Sequence, residues 1–212
     1  MKIHLKSKIS PLFLFLLIFL AWQDTIIAQE STTKETVNSD SRDIKSNHEL
    51  QFGIRAFYAP ATFTFIGKIE SSDFIGLAIQ AWHSKFNYGK FELDFGSEIL
   101  VATRIKFPEN GIDGPKNSKF GIGLIPAVVQ VPVVNNFFLS GSGGIIIFPD
   151  EFPSRFGTRL NFVFDFGIGY EFNLSPENKI QFGYQAQHIS NGGTGQINPG
   201  IDLHMLYIGF RF

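Results

Sequence analysis

The stretch Asn161 to Phe172, NFVFDFGIGYEF, decides the fold. Its even positions are Phe162, Phe164, Phe166, Ile168, Tyr170 and Phe172, and its odd positions are Asn161, Val163, Asp165, Gly167, Gly169 and Glu171. Side chains of an extended chain alternate between two faces, so one face here is wholly apolar while the other carries two carboxylates and two glycines. A soluble sandwich also alternates, but its exposed face is normally richer in Lys, Thr and Arg. A small membrane barrel turns the pattern outward, with the apolar face toward lipid and the polar face filling the lumen.

Working outward, the same period recurs. Phe91, Leu93 and Phe95 oppose Glu92, Asp94 and Gly96, and Phe120, Ile122 and Leu124 oppose Gly121 and Gly123. Ile180, Phe182, Tyr184 and Ala186 oppose Gln181, Gly183, Gln185 and Gln187, while Leu206, Ile208, Phe210 and Phe212 oppose Tyr207, Gly209 and Arg211. Strands are expected near 48–58, 72–83, 90–106, 119–131, 136–148, 160–173, 179–188 and 202–212, with turns at Pro108 to Gly111, Pro149 to Gly157 and Ser175 to Asn178. Each strand is near the ~9–11 residues that a tilted membrane strand needs. The expected fold class is therefore all-β, an eight-stranded antiparallel transmembrane β-barrel over 48–212. A barrel of that size is filled by its own side chains, which leaves function to the loops and the outer wall.

Composition agrees. The 212 residues include 25 Phe and 21 Gly but no Cys, and only 17% are charged. A net charge of −1 gives no electrostatic case for nucleic acid, and the lack of cysteine excludes disulfides, thiol catalysis and cysteine metal sites. Lys2, Lys6 and Lys8 precede an apolar run from Leu12 to Trp22, too short for the roughly 20 residues of a spanning helix, so residues 1–28 read as a secretory signal peptide. Residues 29–47 are almost all polar and are expected to be a disordered leader. The final Phe212 resembles the terminal aromatic assembly signal of bacterial outer-membrane proteins, which implies an integral location in the outer membrane.

With the barrel's ends in the periplasm, the last hairpin turn, His188 to Asp202, faces the cell exterior. Within these fifteen residues stand a base, a hydroxyl and a carboxylate, the parts of a hydrolytic triad. His188 and Ser190 continue the outward even row of Ile180 to Ala186, and Asp202 begins the even row of the last strand. Polar groups facing hydrocarbon cost several kcal/mol unless paired, and a substrate that is itself a membrane lipid gives them a purpose. Ser190 is then the nucleophile, His188 the base and Asp202 its orienter. The Asn191-Gly192-Gly193 loop can turn N–H groups toward an oxyanion, and Asn198 adds a side-chain donor.

At this hairpin the sequence resembles the lipid A 3-O-deacylase family of outer-membrane enzymes, also described as acyloxyacyl-hydrolase-like. The likeness rests on His188-Ile189-Ser190-Asn191, the glycine-bearing loop, and Asn198-Pro199-Gly200 followed by Asp202, and extends loosely to Leu160-Asn161-Phe162 and Gly167 to Tyr170. It implies that His188 and Ser190 are base and nucleophile, and that Asn191, Gly193 and Asn198 form the oxyanion neighbourhood. Asp202 stands where the family has Glu, one methylene longer. The implied reaction is hydrolysis of the ester-linked hydroxyacyl chain at the 3-position of lipid A, in lipopolysaccharide of the outer leaflet, without metal or cofactor. A homodimer would complete the pocket of a triad that faces lipid.

Two other functions compete: a non-catalytic structural or adhesive barrel, and a phospholipase acting on glycerophospholipids. Singly, His188 also reads as an interfacial histidine, Ser190 and Asn191 as turn residues, and Asp202 as a strand-start residue at the water boundary. His204 shares the outward row and reads as interfacial packing, and Trp82 with His83 as part of an aromatic belt. Arg55, Glu92, Asp94, Glu98, Asp165, Glu171 and Arg211 have lumen parity and are expected to form a charge network filling the barrel. Gly141, Gly143 and Gly144 do not make a phosphate loop, since no P-loop lysine follows.

Overall fold

The computed structural model describes residues 45–47, 50–60, 63–88, 91–108, 115–153, 157–195 and 197–212. The signal peptide and most of the polar leader lie outside the described residues. Among the described residues nine strands are formed: β1 Lys45–Asn47, β2 Gln51–Ala59, β3 Asp73–Tyr88, β4 Phe91–Pro108, β5 Lys116–Val134, β6 Phe137–Phe152, β7 Thr158–Asn173, β8 Lys179–Ser190 and β9 Ile201–Arg211. Consecutive strands from β2 to β9 pair antiparallel, and β2 also pairs with β9, closing an eight-stranded barrel. The leader is not wholly irregular, because its last three residues form β1, which pairs with Lys85–Asn87 of β3 just beyond the part that β2 covers. The expected turn at Pro149 also begins later, since β6 runs through to Phe152.

Parity holds in the way the pattern requires. On β2, Phe52, Ile54 and Tyr58 are exposed while Gly53, Arg55, Phe57 and Ala59 are buried. Ile75, Leu77, Ile79, Ile99, Ile122, Leu124, Phe166, Ile168, Phe182, Leu206, Ile208 and Phe210 continue this apolar outer belt around the wall. Such a surface is stable only against hydrocarbon, as in a membrane-spanning barrel.

The lumen divides into two halves. Toward the end that carries β1 and Phe212 it is polar: Arg55 pairs with Glu98, Arg211 with Asp94 at 2.8 Å, and Gln181 Nε2 donates to Glu171 at 2.8 Å and Gln130 at 3.3 Å. Toward the other end it is apolar, built from Ile105, Phe107, Ile125, Ile146, Phe148, Phe152, Ile189, Ile201 and Leu203, with Phe148 and Phe152 stacked at 3.8 Å. The charge network therefore fills half of the lumen rather than all of it. Glu92 is not in it: it pairs with Lys85 at the barrel's edge, both half-exposed. Trp82 is likewise not in an interfacial belt. It is buried inside, under the Arg211 guanidinium at 4.7 Å, where side-chain-free Gly96 leaves it room. His83 is the extra residue of a β-bulge between Trp82 and Ser84, and stays exposed.

Candidate active site

The strand ends Ala59, Asp73, Pro108, Lys116, Phe152, Thr158, Ser190 and Ile201 lie at the apolar-lumen end. The ladder of the last hairpin places Phe164, His188 and Asp202 side by side across β7, β8 and β9. Being direct cross-strand neighbours on one face, His188 and Asp202 meet with short side chains, and His188 Nδ1 lies 2.6 Å from Asp202 Oδ1. With Nδ1–H donating to the carboxylate, Nε2 is left as an acceptor. Ser190 follows His188 by two residues on the same outward row, opposite Phe162. The Nε2 edge of His188 lies near Gly200: a Cβ there would stand 3.0 Å from His188 Cε1 and 3.5 Å from Nε2.

The row is outward, as the parity requires, but it does not lie bare. His188, Ser190 and Asp202 are only 5%, 7% and 0% exposed. A strap from the β2–β3 connection, Phe63 to Ile69, crosses over His188 and Asp202. Phe65 packs edge-on to His188, Phe166 and His204, with centroids 6.4, 6.3 and 5.8 Å away. The backbone N–H groups of Phe65, Ile66 and Gly67 donate to Asp202 Oδ2 at 2.5, 2.7 and 2.8 Å. Lys68 N–H donates to Pro199 O at 2.9 Å, and Ile69 bridges in parallel to Ile201. The cover that was expected of a second subunit thus comes from the same chain.

His204 belongs to this arrangement as well. Its ring stacks on Phe63 at 3.9 Å, its Nε2–H donates to Phe63 O at 3.2 Å, and Nδ1 accepts from the Tyr184 hydroxyl. Packing is its role, against the strap. Sequence reasoning missed the strap because its polar contribution is made by backbone amides, which leave no mark on side-chain identity.

The 191–200 loop is organised by Asn191, a buried residue. Its Oδ1 accepts from Gly193 N at 2.9 Å, its Nδ2 donates to Ile197 O at 2.8 Å, and its own N–H donates to Asn198 Oδ1 at 3.2 Å. Gly192 and Gly193 adopt φ of 62° and 81°, which suits glycine and closes a turn in which Thr194 N and Oγ1 donate to Asn191 O. The N–H groups of Asn191 and Gly193, read from the sequence as oxyanion donors, are here engaged within the loop.

The fold and site together define an outer-membrane-type β-barrel with a His–Asp pair on the outward face of its last hairpin and a serine two residues along the same row. The profile of the lipid A 3-O-deacylase (PagL) family matches residues 73–211, and the chain belongs to that family. A lipid A deacylase PagL of Bordetella bronchiseptica is 33% identical over 75 residues, covering 34% of this chain and 39% of that protein. The chain thus matches well under half of that relative's length. The crystal structure of the outer membrane enzyme PagL superposes with a TM-score of 0.53 at 18% identity, covering 74% of this chain and 97% of that one. That likeness is one of fold.

Proposed function

We propose that the protein is an outer-membrane serine esterase that removes the hydroxyacyl chain at the 3-position of lipid A. The observation that carries this reading is the 2.6 Å Asp202–His188 contact, with Ser190 two residues along the same row, on the outward wall of a chain that belongs to the lipid A 3-O-deacylase family. Ser190 Oγ attacks the ester carbonyl carbon while its proton passes to His188 Nε2. The tetrahedral intermediate collapses, the sugar hydroxyl leaves with that proton, and water then hydrolyses the acyl-enzyme with His188 again acting as base. Asp202 holds the imidazole in the Nδ1–H tautomer and stabilises the imidazolium. The Asn198 side-chain amide supplies an oxyanion donor. Asn191 sets the loop's shape, and a contribution from Gly193 N–H requires Asn191 Oδ1 to release it when substrate binds. The outward position favours a substrate that lies in the leaflet around the barrel.

Mass spectrometry of lipid A from cells expressing the chain tests this directly, and loss of one hydroxyacyl mass is the expected result. Intact lipid A together with lysophospholipids would redirect the same machinery to glycerophospholipids. Unchanged lipids of both kinds, with the barrel inserted, would leave a structural or adhesive barrel.

Gly200→Ala provides a local check. Gly200 has φ of 52°, and the new Cβ would press on the His188 ring. Since displacing a catalytic group by about 1 Å costs on the order of 100-fold, kcat is expected to fall by at least about tenfold while the barrel still folds. Wild-type kcat in this variant would show that the His188 position is not critical.

A further inference from the structure

We propose that the strap residues Phe65–Gly67 are a positioning element of the active site: their three successive amides fix one oxygen of Asp202 so that the other meets His188. This role rests on the esterase reading above. A carboxylate bonded only through Oδ1 can swing about its side-chain torsions, and each swing misplaces the imidazole. Three amides converging on Oδ2 at 2.5–2.8 Å form a concavity for a negative oxygen and leave that torsion one setting. They also meet the hydrogen-bonding demand of a carboxylate that is fully buried on an outer wall.

The strap is suited to this task because it is itself referenced to β9. Before the three amides, Phe63 is stacked on His204 and bonded to it through its carbonyl. After them, Lys68 and Ile69 N–H groups donate to Gly200 O at 3.1 and 3.3 Å. The anchors thus lie at residues 200, 201 and 204, on both sides of Asp202, so the cradle and the carboxylate keep one frame. The close approach depends on Gly67. A Cβ at that position would stand 2.9 Å from Gly200 O and 3.1 Å from Asp202 N, both backbone atoms that cannot step aside.

A strap that merely covers the site would affect stability, or substrate entry through KM. A strap that positions Asp202 acts through kcat and loses its effect once the carboxylate is gone. The full-length protein, folded in detergent micelles with lipid A as substrate, is compared as wild type, Gly67→Ala, Asp202→Ala and the double variant. Gly67→Ala is expected to lower kcat about tenfold with KM within about twofold, and the double variant to be no slower than Asp202→Ala. Losses that multiply in the double variant, or a change confined to KM, would overturn the positioning role. Full activity in Asp202→Ala would instead overturn the triad reading on which that role rests. Should Gly67→Ala not fold, judged by heat-modifiable gel migration, Phe63→Ala loosens the strap at its other anchor and decides the question in the same cycle.

Discussion

Ser190→Ala is expected to reduce lipid A deacylation on the order of 10⁴-fold or more, with the barrel unchanged. The substitution removes one oxygen from a buried side chain at the end of β8 and leaves the ladder to Phe162 intact. Without the hydroxyl no acyl-enzyme forms, and His188 has no proton to accept. What survives is whatever the loop and the binding of the lipid contribute by themselves, so adding His188→Ala to Ser190→Ala should lower the rate little further. That non-additivity is the mark of groups acting as a unit. Release of hydroxy fatty acid from purified lipid A, followed for the two single variants and the double, measures it. A Ser190→Ala protein that retains wild-type turnover would remove Ser190 from the mechanism and with it the proposed chemistry.

The barrel was legible because membrane strands write their orientation into every second residue. The run Asn161–Phe172 declares its lumen face through Asp165 and Glu171 and its outer face through Phe166, Ile168 and Phe172, and β7 follows that alternation. His188 and Asp202 were legible for the same reason, since equal parity on adjacent strands put them on one wall, and the register made them direct neighbours. Alternation has limits, however, in fixing where a strand ends. An expected strand end at 83 suggests an interfacial belt for Trp82, but β3 runs on to Tyr88, and Trp82 shares the buried even row of Phe74, Ala78 and Gln80 that fills the lumen. Longer-range packing is equally silent in the sequence. Nothing in Phe65-Ile66-Gly67 marks those residues as donors to a carboxylate 135 to 137 positions away. Nor does Asn191 reveal that its side chain holds the loop it belongs to.

The second large effect concerns the lumen. Arg55→Ala is expected to destabilise the barrel by about 3–5 kcal/mol, the cost of leaving a buried charge without its partner. Arg55 and Glu98 have side chains only 1% and 4% exposed, and the guanidinium also lies over the rings of Phe57 and Tyr207 at 4.9 and 5.2 Å. Removing it strands the Glu98 carboxylate and opens a void among aromatic rings. The penalty comes from the orphaned charge more than from a loss of net attraction, since desolvating both ions offsets much of what pairing gains. The double substitution Arg55→Met with Glu98→Leu should therefore recover most of the lost stability, whereas Arg55→Ala alone should not. Urea unfolding of the folded barrel in micelles measures both, and a double variant as unstable as the single would show that the pair itself, rather than its completeness, holds the lumen together. Neither change should alter kcat under folding conditions, because Arg55 sits opposite Gly209 in the polar half, whereas His188 stands on the outer face of the hairpin, at the level where its inner face is the apolar Ile189, Ile201 and Leu203. The division of the lumen thus lets the barrel take its polar filling at one end and set the hairpin of His188 and Asp202 on an apolar, close-packed support at the other.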